Sequence, residues 1–415
     1  MPIKIAFIIY IALASISFNT QAGNNTKPVV GAVYSMTNAV EGNQVVVFNR
    51  HLDGTLSFSK AYPTGGRGGL ANGGDEEQTE AALEDALGSQ GSLILSKNNR
   101  WLLTVNAGSN DITVFEVMTR VANNEVDYQL ERVIQTTGGN FPSGGSFPVS
   151  LAISEDYLYV LNAGGQGNIT GFRFNHDSGQ LTPIDNSTRN LNANSSNPPF
   201  FATSPAQIGF DQNEDRLIVT IKGLNQVQLF DLDDEGRPSQ QAITTNSSGS
   251  TPFGFTVTRR NRLLIAEAFG AGSPGDLNVG AVSSYKPNAY QYYSYPNKAF
   301  NPVSSSIPNQ QALSCWITLD RLNRYAFVSN NGSGTISTYY VKRNGKVTIA
   351  NQTAATGLEN PVDLTMDKFS RYLYVVNAAN GSISAYSVRR SKLNPLGTFE
   401  NGLSISGGAV GIAVQ

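Results

Sequence analysis

Pro148-Val-Ser-Leu-Ala-Ile-Ser154, Tyr157-Leu-Tyr-Val-Leu161, Asn162-Ala-Gly-Gly165, Asn168-Ile-Thr-Gly-Phe-Arg-Phe174 and Asp177-Ser-Gly-Gln-Leu181 follow one another almost without a gap. Apolar and polar residues alternate within the runs. Between them lie a polar turn, a Gly-rich turn and an Asp-Ser-Gly hairpin. Alternation of period two, punctuated by turn residues, predicts a four-stranded antiparallel meander.

The same order returns outward along the chain. It is found in Pro361-Val-Asp-Leu-Thr-Met366, Tyr372-Leu-Tyr-Val-Val-Asn377 and Ser382-Ile-Ser-Ala-Tyr-Ser387. It is found again in Leu313-Ser-Cys-Trp-Ile-Thr318, Tyr325-Ala-Phe-Val-Ser-Asn330 and Thr335-Ile-Ser-Thr-Tyr339. Further copies begin near Gly91, Pro205 and Pro252, and a partial one holds Val29-Val-Gly-Ala-Val-Tyr34 and Gln44-Val-Val-Val-Phe48. The ends of the second strands, from Asn38 to Asn377, are separated by about 56 residues on average, the length of a four-stranded propeller unit with its loops. The first copy lacks an inner strand, and Gly408-Ala-Val-Gly-Ile-Ala-Val414 supplies one with nothing after it. The expectation is an all-β, seven-bladed β-propeller closed by its C-terminal strand, one domain over residues 23–415 with an insertion at 62–90.

Composition narrows the chemistry. With 29 Lys+Arg against 31 Asp+Glu, no long-range field draws in nucleic acid or an anionic membrane. The single cysteine, Cys315, excludes an internal disulfide and a cysteine-based zinc cluster. His51 and His176 fall in hairpin sequences and read as turn residues, which argues against histidine-based catalysis. Lys4 precedes the apolar run Ile5 to Ala14, and Thr20-Gln21-Ala22 offers small residues for cleavage, so residues 1–22 read as a signal peptide and the mature protein as exported. No later stretch is long and apolar enough to span a bilayer.

With strands lettered A to D from the axis outward, the A–B and C–D turns share one face and are short. The B–C loops and inter-blade connections share the other and carry the insertions, including the acidic stretch Asp75 to Leu87, read as a helix. Long loops clustered on a rigid scaffold place the expected site on that loop face, over the channel mouth. There Glu267 ends strand B of blade 5, where other copies carry Asn. It reads either as a catalytic carboxylate or as a cap for backbone amides. Lys222 follows the equivalent strand of blade 4, either as its cationic partner steadying an oxyanion or as an ordinary surface lysine. Asn106, Asn162, Asn330 and Asn377 form either a polar substrate-binding ring or a set of turn braces. Arg67, on a Gly-rich loop, and Gln207, on an inner strand, complete the substrate-binding candidates. No metal or other cofactor is expected, since the spacing in 75–85 fits no EF-hand that would hold a divalent cation.

The repeat core, Tyr-Val-x-Asn with a following Gly and then Ile-Ser/Thr-x-Tyr/Phe, resembles that of the lactonase-like seven-bladed propellers. That group includes 6-phosphogluconolactonases and 3-carboxymuconate-lactonizing enzymes. Leu87-Gly-Ser-Gln-Gly-Ser92, Ser204-Pro-Ala-Gln-Ile-Gly209, Thr251-Pro-Phe-Gly-Phe255, Glu267-Ala-Phe-Gly270, Ala281-Val-Ser-Ser-Tyr285 and Ser314-Cys-Trp316 are similar to a secreted bacterial branch. The resemblance implies a lactone hydrolase with Glu267 as acid/base group; a small lactone or carbohydrate ligand and a monomeric state are expected beside it. The alternative is a non-catalytic exported module that binds a glycan or protein.

Overall fold

A computed structural model of the chain describes residues 27–72, 85–122, 125–273, 276–287, 299–403 and 408–415. Residues 1–22, read as a signal peptide, lie outside these, as does most of the acidic stretch 75–87, of which 85–87 form a turn rather than a helix. Among the described residues no helix is long and apolar enough to cross a membrane.

The chain is a seven-bladed β-propeller of antiparallel blades. Blade 3 shows the pattern: Pro148–Ile153 innermost, then Tyr157–Asn162, Asn168–Phe174 and Leu181–Pro183. In blade 1 the inner strand is Val410–Val414, which pairs with Val29–Met36 and closes the ring. The inner strands Leu93–Leu95, Pro148–Ile153, Pro205–Phe210, Ser250–Val257, Ser314–Leu319 and Pro361–Met366 then follow one another around the axis. The B strands are almost wholly buried, because each blade is sandwiched between two others and both faces of the pleat must be apolar.

At several junctions a B-strand side chain is fastened to the C–D hairpin of the next blade. Tyr372 and Tyr374 of blade 7 donate to the carbonyls of Leu52 and Gly54 in blade 1, at 2.8 and 3.1 Å. Tyr157 and Tyr159 of blade 3 reach Asp234 and Gly236 of blade 4 in the same way. Gly54 has φ +85° and lies against the Tyr372 ring, where a Cβ would overlap, so this hairpin position admits only glycine on two counts. His176 occupies an equivalent hairpin in blade 3, and its carbonyl accepts the Trp101 indole N–H at 3.0 Å. His51 bonds Lys27 O and Ser57 Oγ in the blade 1 hairpin. His176 is therefore a turn residue, while His51 ends the strand that leads into its hairpin.

Candidate functional site

The two mouths of the channel differ, and not as loop length suggests. On the loop face Ser89 and Gln90, at the end of the insertion, enter the channel. Gln90 donates from Nε2 to Ile317 O at 3.0 Å and accepts Ile317 N–H at Oε1 at 3.1 Å, bracing blade 6. Its backbone N–H reaches Ala206 O of blade 4, and its carbonyl accepts Ser150 Oγ of blade 3. Trp316, buried, donates its indole N–H to Ser89 O at 2.8 Å. Gly254 makes room for the Gln90 amide, with which a Cβ would overlap. Among the described residues, Ser89 and Gln90 thus occupy the channel below the loop face, where three inner strands offer polar groups that they satisfy.

A cavity of about 670 Å³ lies at the other mouth, beneath the A–B turns. Its floor holds Gln90 and Asp363 and its wall Gln207, while Lys97 and Glu214, ion-paired between blades 2 and 4, stand at the rim. Asp363 is 5% exposed. Burial pushes its carboxyl up to about 7, against bonds from the backbone N–H groups of Leu364, Gly91 and Ile412 that favour the ionised form. Gln207 Oε1 accepts Phe255 N–H at 2.6 Å, which leaves its amide nitrogen to offer a ligand. Of the charged residues lining the cavity, Asp211, Glu214 and Asp363 are acidic and Lys97 is basic.

The remaining candidates are dispersed. Glu267 is completely buried. It accepts Gly249 N–H at 2.9 Å and the Ser247 hydroxyl at 3.1 Å, and Ser283 and Ser306 also donate to it. Burial raises its carboxyl above the usual range, and these donors oppose the shift. Lys222 is 2% exposed, so it is not a surface lysine. Its ammonium donates to Gly88 O, packs 4.6 Å from the Phe253 ring centroid and shares the interior with Asp85 and Cys315. Burial lowers Lys222 to about 8 and raises Asp85 to about 6, each partly restored by the other's charge. Glu267 and Lys222 share no partner, so the expected acid–cation pair is not assembled.

Asn106, Asn162, Asn330 and Asn377 are buried, and each donates into the start of its own C strand. Asn330 Nδ2 reaches Thr335 and Ser337, and Asn377 Nδ2 reaches Ser382 and Ser384, all at 2.8–3.0 Å. Asn106 does the same to Asp111 and Thr113, and Asn162 to Asn168. The arrangement braces the B–C turns. Arg67 is exposed beside a separate depression of about 400 Å³ on the loop face, its guanidinium 3.5 Å from Gly108 O. Among the described residues no group of three His, Cys, Asp or Glu side chains is placed to hold a metal ion.

Asp363 went unrecognised among the sequence candidates, yet the repeats carry the signal. The third residue of the inner-strand motif is Ser150, Gln207, Gly254, Trp316 and Asp363 in successive copies. Ser150 accepts Ile208 N–H and Gln207 accepts Phe255 N–H from the next inner strand, and Asp363 accepts that of Ile412. The position faces the axis, and only one of the five copies puts a carboxyl there.

Residues 286–404 match the family model described as Lactonase, 7-bladed beta-propeller. Comparison with curated proteins finds none that matches. Among solved structures, a protein from Lactobacillus plantarum is 17% identical with a TM-score of 0.61, covering 93% of this chain and 100% of its own. A Bacteroides uniformis protein provisionally named 6-phosphogluconolactonase is 13% identical with a TM-score of 0.62, over 93% and 99% of the two chains. The periplasmic gluconolactonase of Pseudomonas aeruginosa is 13% identical with a TM-score of 0.59, over 92% and 98%. At such identities the likeness is one of fold, which hosts more than one chemistry. The chain has the lactonase-like seven-bladed propeller fold, with the family-model match falling on residues 286–404.

Proposed function

We propose that the protein hydrolyses an uncharged lactone or related cyclic ester in the cavity beneath the A–B turns. The observation that carries this is Asp363: a nearly buried carboxyl on the floor of a polar cavity, with its proton affinity raised into the neutral range. In the ionised form it takes a proton from a water that attacks the lactone carbonyl. The amide nitrogen of Gln207 is the donor available to the developing oxyanion. Collapse of the tetrahedral intermediate breaks the ring C–O bond, and the proton held by Asp363 passes to the leaving alkoxide. With three acidic residues and one lysine lining it, the cavity disfavours a phosphorylated substrate. Residues 1–22 support export of the mature chain as part of the same proposal.

The test is pH-stat hydrolysis of a panel of sugar, acyl-homoserine and aromatic lactones by the purified protein, by Asp363→Asn and by Glu267→Gln. Acid release abolished in the Asp363 variant and kept in the Glu267 variant is expected. Loss in the Glu267 variant alone would return the base to the loop face. A second reading, a non-catalytic module that binds a glycan or protein, is favoured by the backbone bonds that already give Asp363 a structural task. Absence of turnover across the panel, from folded protein, decides for it.

A further inference from the structure

The near-zero net charge conceals a segregation. Residues 250–399 carry 15 Lys+Arg against 6 Asp+Glu, while the rest of the chain carries 14 against 25. In the fold, most of these cations gather on one face of blades 5, 6 and 7. They occupy the A–B turns 259–262, 321–324 and 368–371 and the C–D turns 342–346 and 389–392. The six acids do not offset them. Glu267, Asp363 and Asp367 are buried, and Asp276 and Glu359 lie in loops of the opposite face. Asp320 spends its carboxylate on the backbone N–H groups of Arg324 and Tyr325, at 2.6 and 3.1 Å. Among the described residues the one ion pair in this strip joins Arg371 to Asp367 at 3.9 Å.

Apolar side chains project from the same face, Leu322 and Phe369 from the A–B turns and Tyr340 from near the end of a C strand. Leu322 is 59% exposed, Phe369 51% and Tyr340 40%. Leu322 and Phe369 occupy the same position of successive A–B turns, where blades 2 and 4 carry Asn98 and Asn213. The turns are stitched edge to edge. Arg259 N–H donates to Asn323 Oδ1 at 2.8 Å, and Arg321 N–H to Ser370 Oγ at 2.7 Å. The apolar tips are thus held side by side within a field of cations, and Lys368 and Arg371 flank the Phe369 ring at 5.3 and 5.1 Å. A groove of about 550 Å³ between blades 5 and 6 continues the strip, lined by Arg259, Arg260, Arg343 and Leu322 among others.

We propose that this face docks on an anionic lipid bilayer, with Leu322 and Phe369 entering the headgroup region and the surrounding arginines and lysines pairing with lipid phosphates. Cations near such a surface each contribute about 1 kcal/mol, lost as salt screens them, and apolar tips add a contribution that salt does not screen. A soluble polyanion would use the cations alone. The mixture of fixed apolar tips and cations that, Arg371 apart, have no acidic partner among the described residues selects a lipid surface. On the same face, Glu155, Asp156, Asp233, Asp234 and Glu235 in the turns of blades 3 and 4 are repelled, so the ring meets the bilayer tilted onto blades 5–7.

The test is sedimentation of the full chain with vesicles of phosphatidylcholine alone and with about one third phosphatidylglycerol, beside retention on immobilised dextran sulfate. Binding to the anionic vesicles alone is expected. Leu322→Ser with Phe369→Ser should weaken it about tenfold while leaving dextran sulfate retention unchanged. Arg260→Ser with Arg343→Ser should lower both, the vesicle binding by about thirtyfold at low salt. Circular dichroism of each variant confirms the fold, since all four side chains are exposed. Retention on dextran sulfate without vesicle binding would assign the face to an acidic polymer and overturn the proposal. Vesicle binding indifferent to the Leu322 and Phe369 changes would overturn it equally.

Discussion

Replacing Asp363 by Asn should make the protein gain stability relative to the wild type as pH rises. The carboxyl's ordinary value is 3.8, and in the folded state burial lifts it to about 7. Between those values the folded chain holds a proton that the unfolded chain has released. Stability from this site is therefore full below about pH 4 and lost as pH climbs through 7. Each pH unit in that window costs about 1.4 kcal/mol, so the two units between pH 5 and 7 give roughly 3 kcal/mol. Asn keeps one oxygen for the N–H groups of Leu364, Gly91 and Ile412 and carries no proton to lose. Urea unfolding of both proteins at pH 5 and pH 8, followed by the fluorescence of buried Trp101 and Trp316, isolates the effect as a difference of differences. Other titrating groups cancel because both proteins share them. The variant should gain about 3 kcal/mol on the wild type between the two pH values. An unchanged gap would mean that the carboxyl is ionised throughout, and the acid/base role proposed for it would lose its support.

Activity, where the lactone panel finds it, should rise with pH through about 7 as Asp363 ionises, and a pH–rate profile without that limb would point to another base. Glu267→Gln should keep the cavity's chemistry within about threefold, because the hydrogen bonds to the Glu267 carboxylate come from Gly249 and serines of its own surroundings. Gln90→Ala strands the N–H and C=O of Ile317 in the channel and should cost about 3 kcal/mol in denaturant titration. Gly54→Ala combines a positive φ with overlap on Tyr372 and should cost about 2 kcal/mol, and a neutral result would show that the hairpin yields.

The blades were legible because the period-two pattern and the Asp-Gly hairpins are local signals, repeated often enough to be aligned. Even the closing strand was visible, since the first copy lacked what Gly408 to Val414 supplied. The cavity beneath the A–B turns was not, because loop length says where chain is available and not where it goes. Leu87-Gly-Ser-Gln-Gly-Ser92 looks like linker, but Gly88 and Gly91 at φ +58° and +83° turn it into the channel, where inner-strand polar groups await a partner. Lys222 misled for the same reason: a lysine after a B strand reads as surface until Gly88 and Asp85 are folded over it. Charge segregation was countable from the start, but a whole-chain sum erased it. Only the fold shows that the excess cations gather on one face.

The pairing of Val410–Val414 with Val29–Met36 has a consequence in time. These segments are separated by almost the whole chain, so the loop they close is the longest in the molecule, and contacts of that separation form late. Until they form, Val29–Met36 keeps one side open with its hydrogen-bonding groups unpaired, and a second partly folded copy can fill that place. Refolding yield should therefore fall with protein concentration even where the finished ring is stable, and a short peptide of sequence 408–415 should protect against that loss by occupying the gap first.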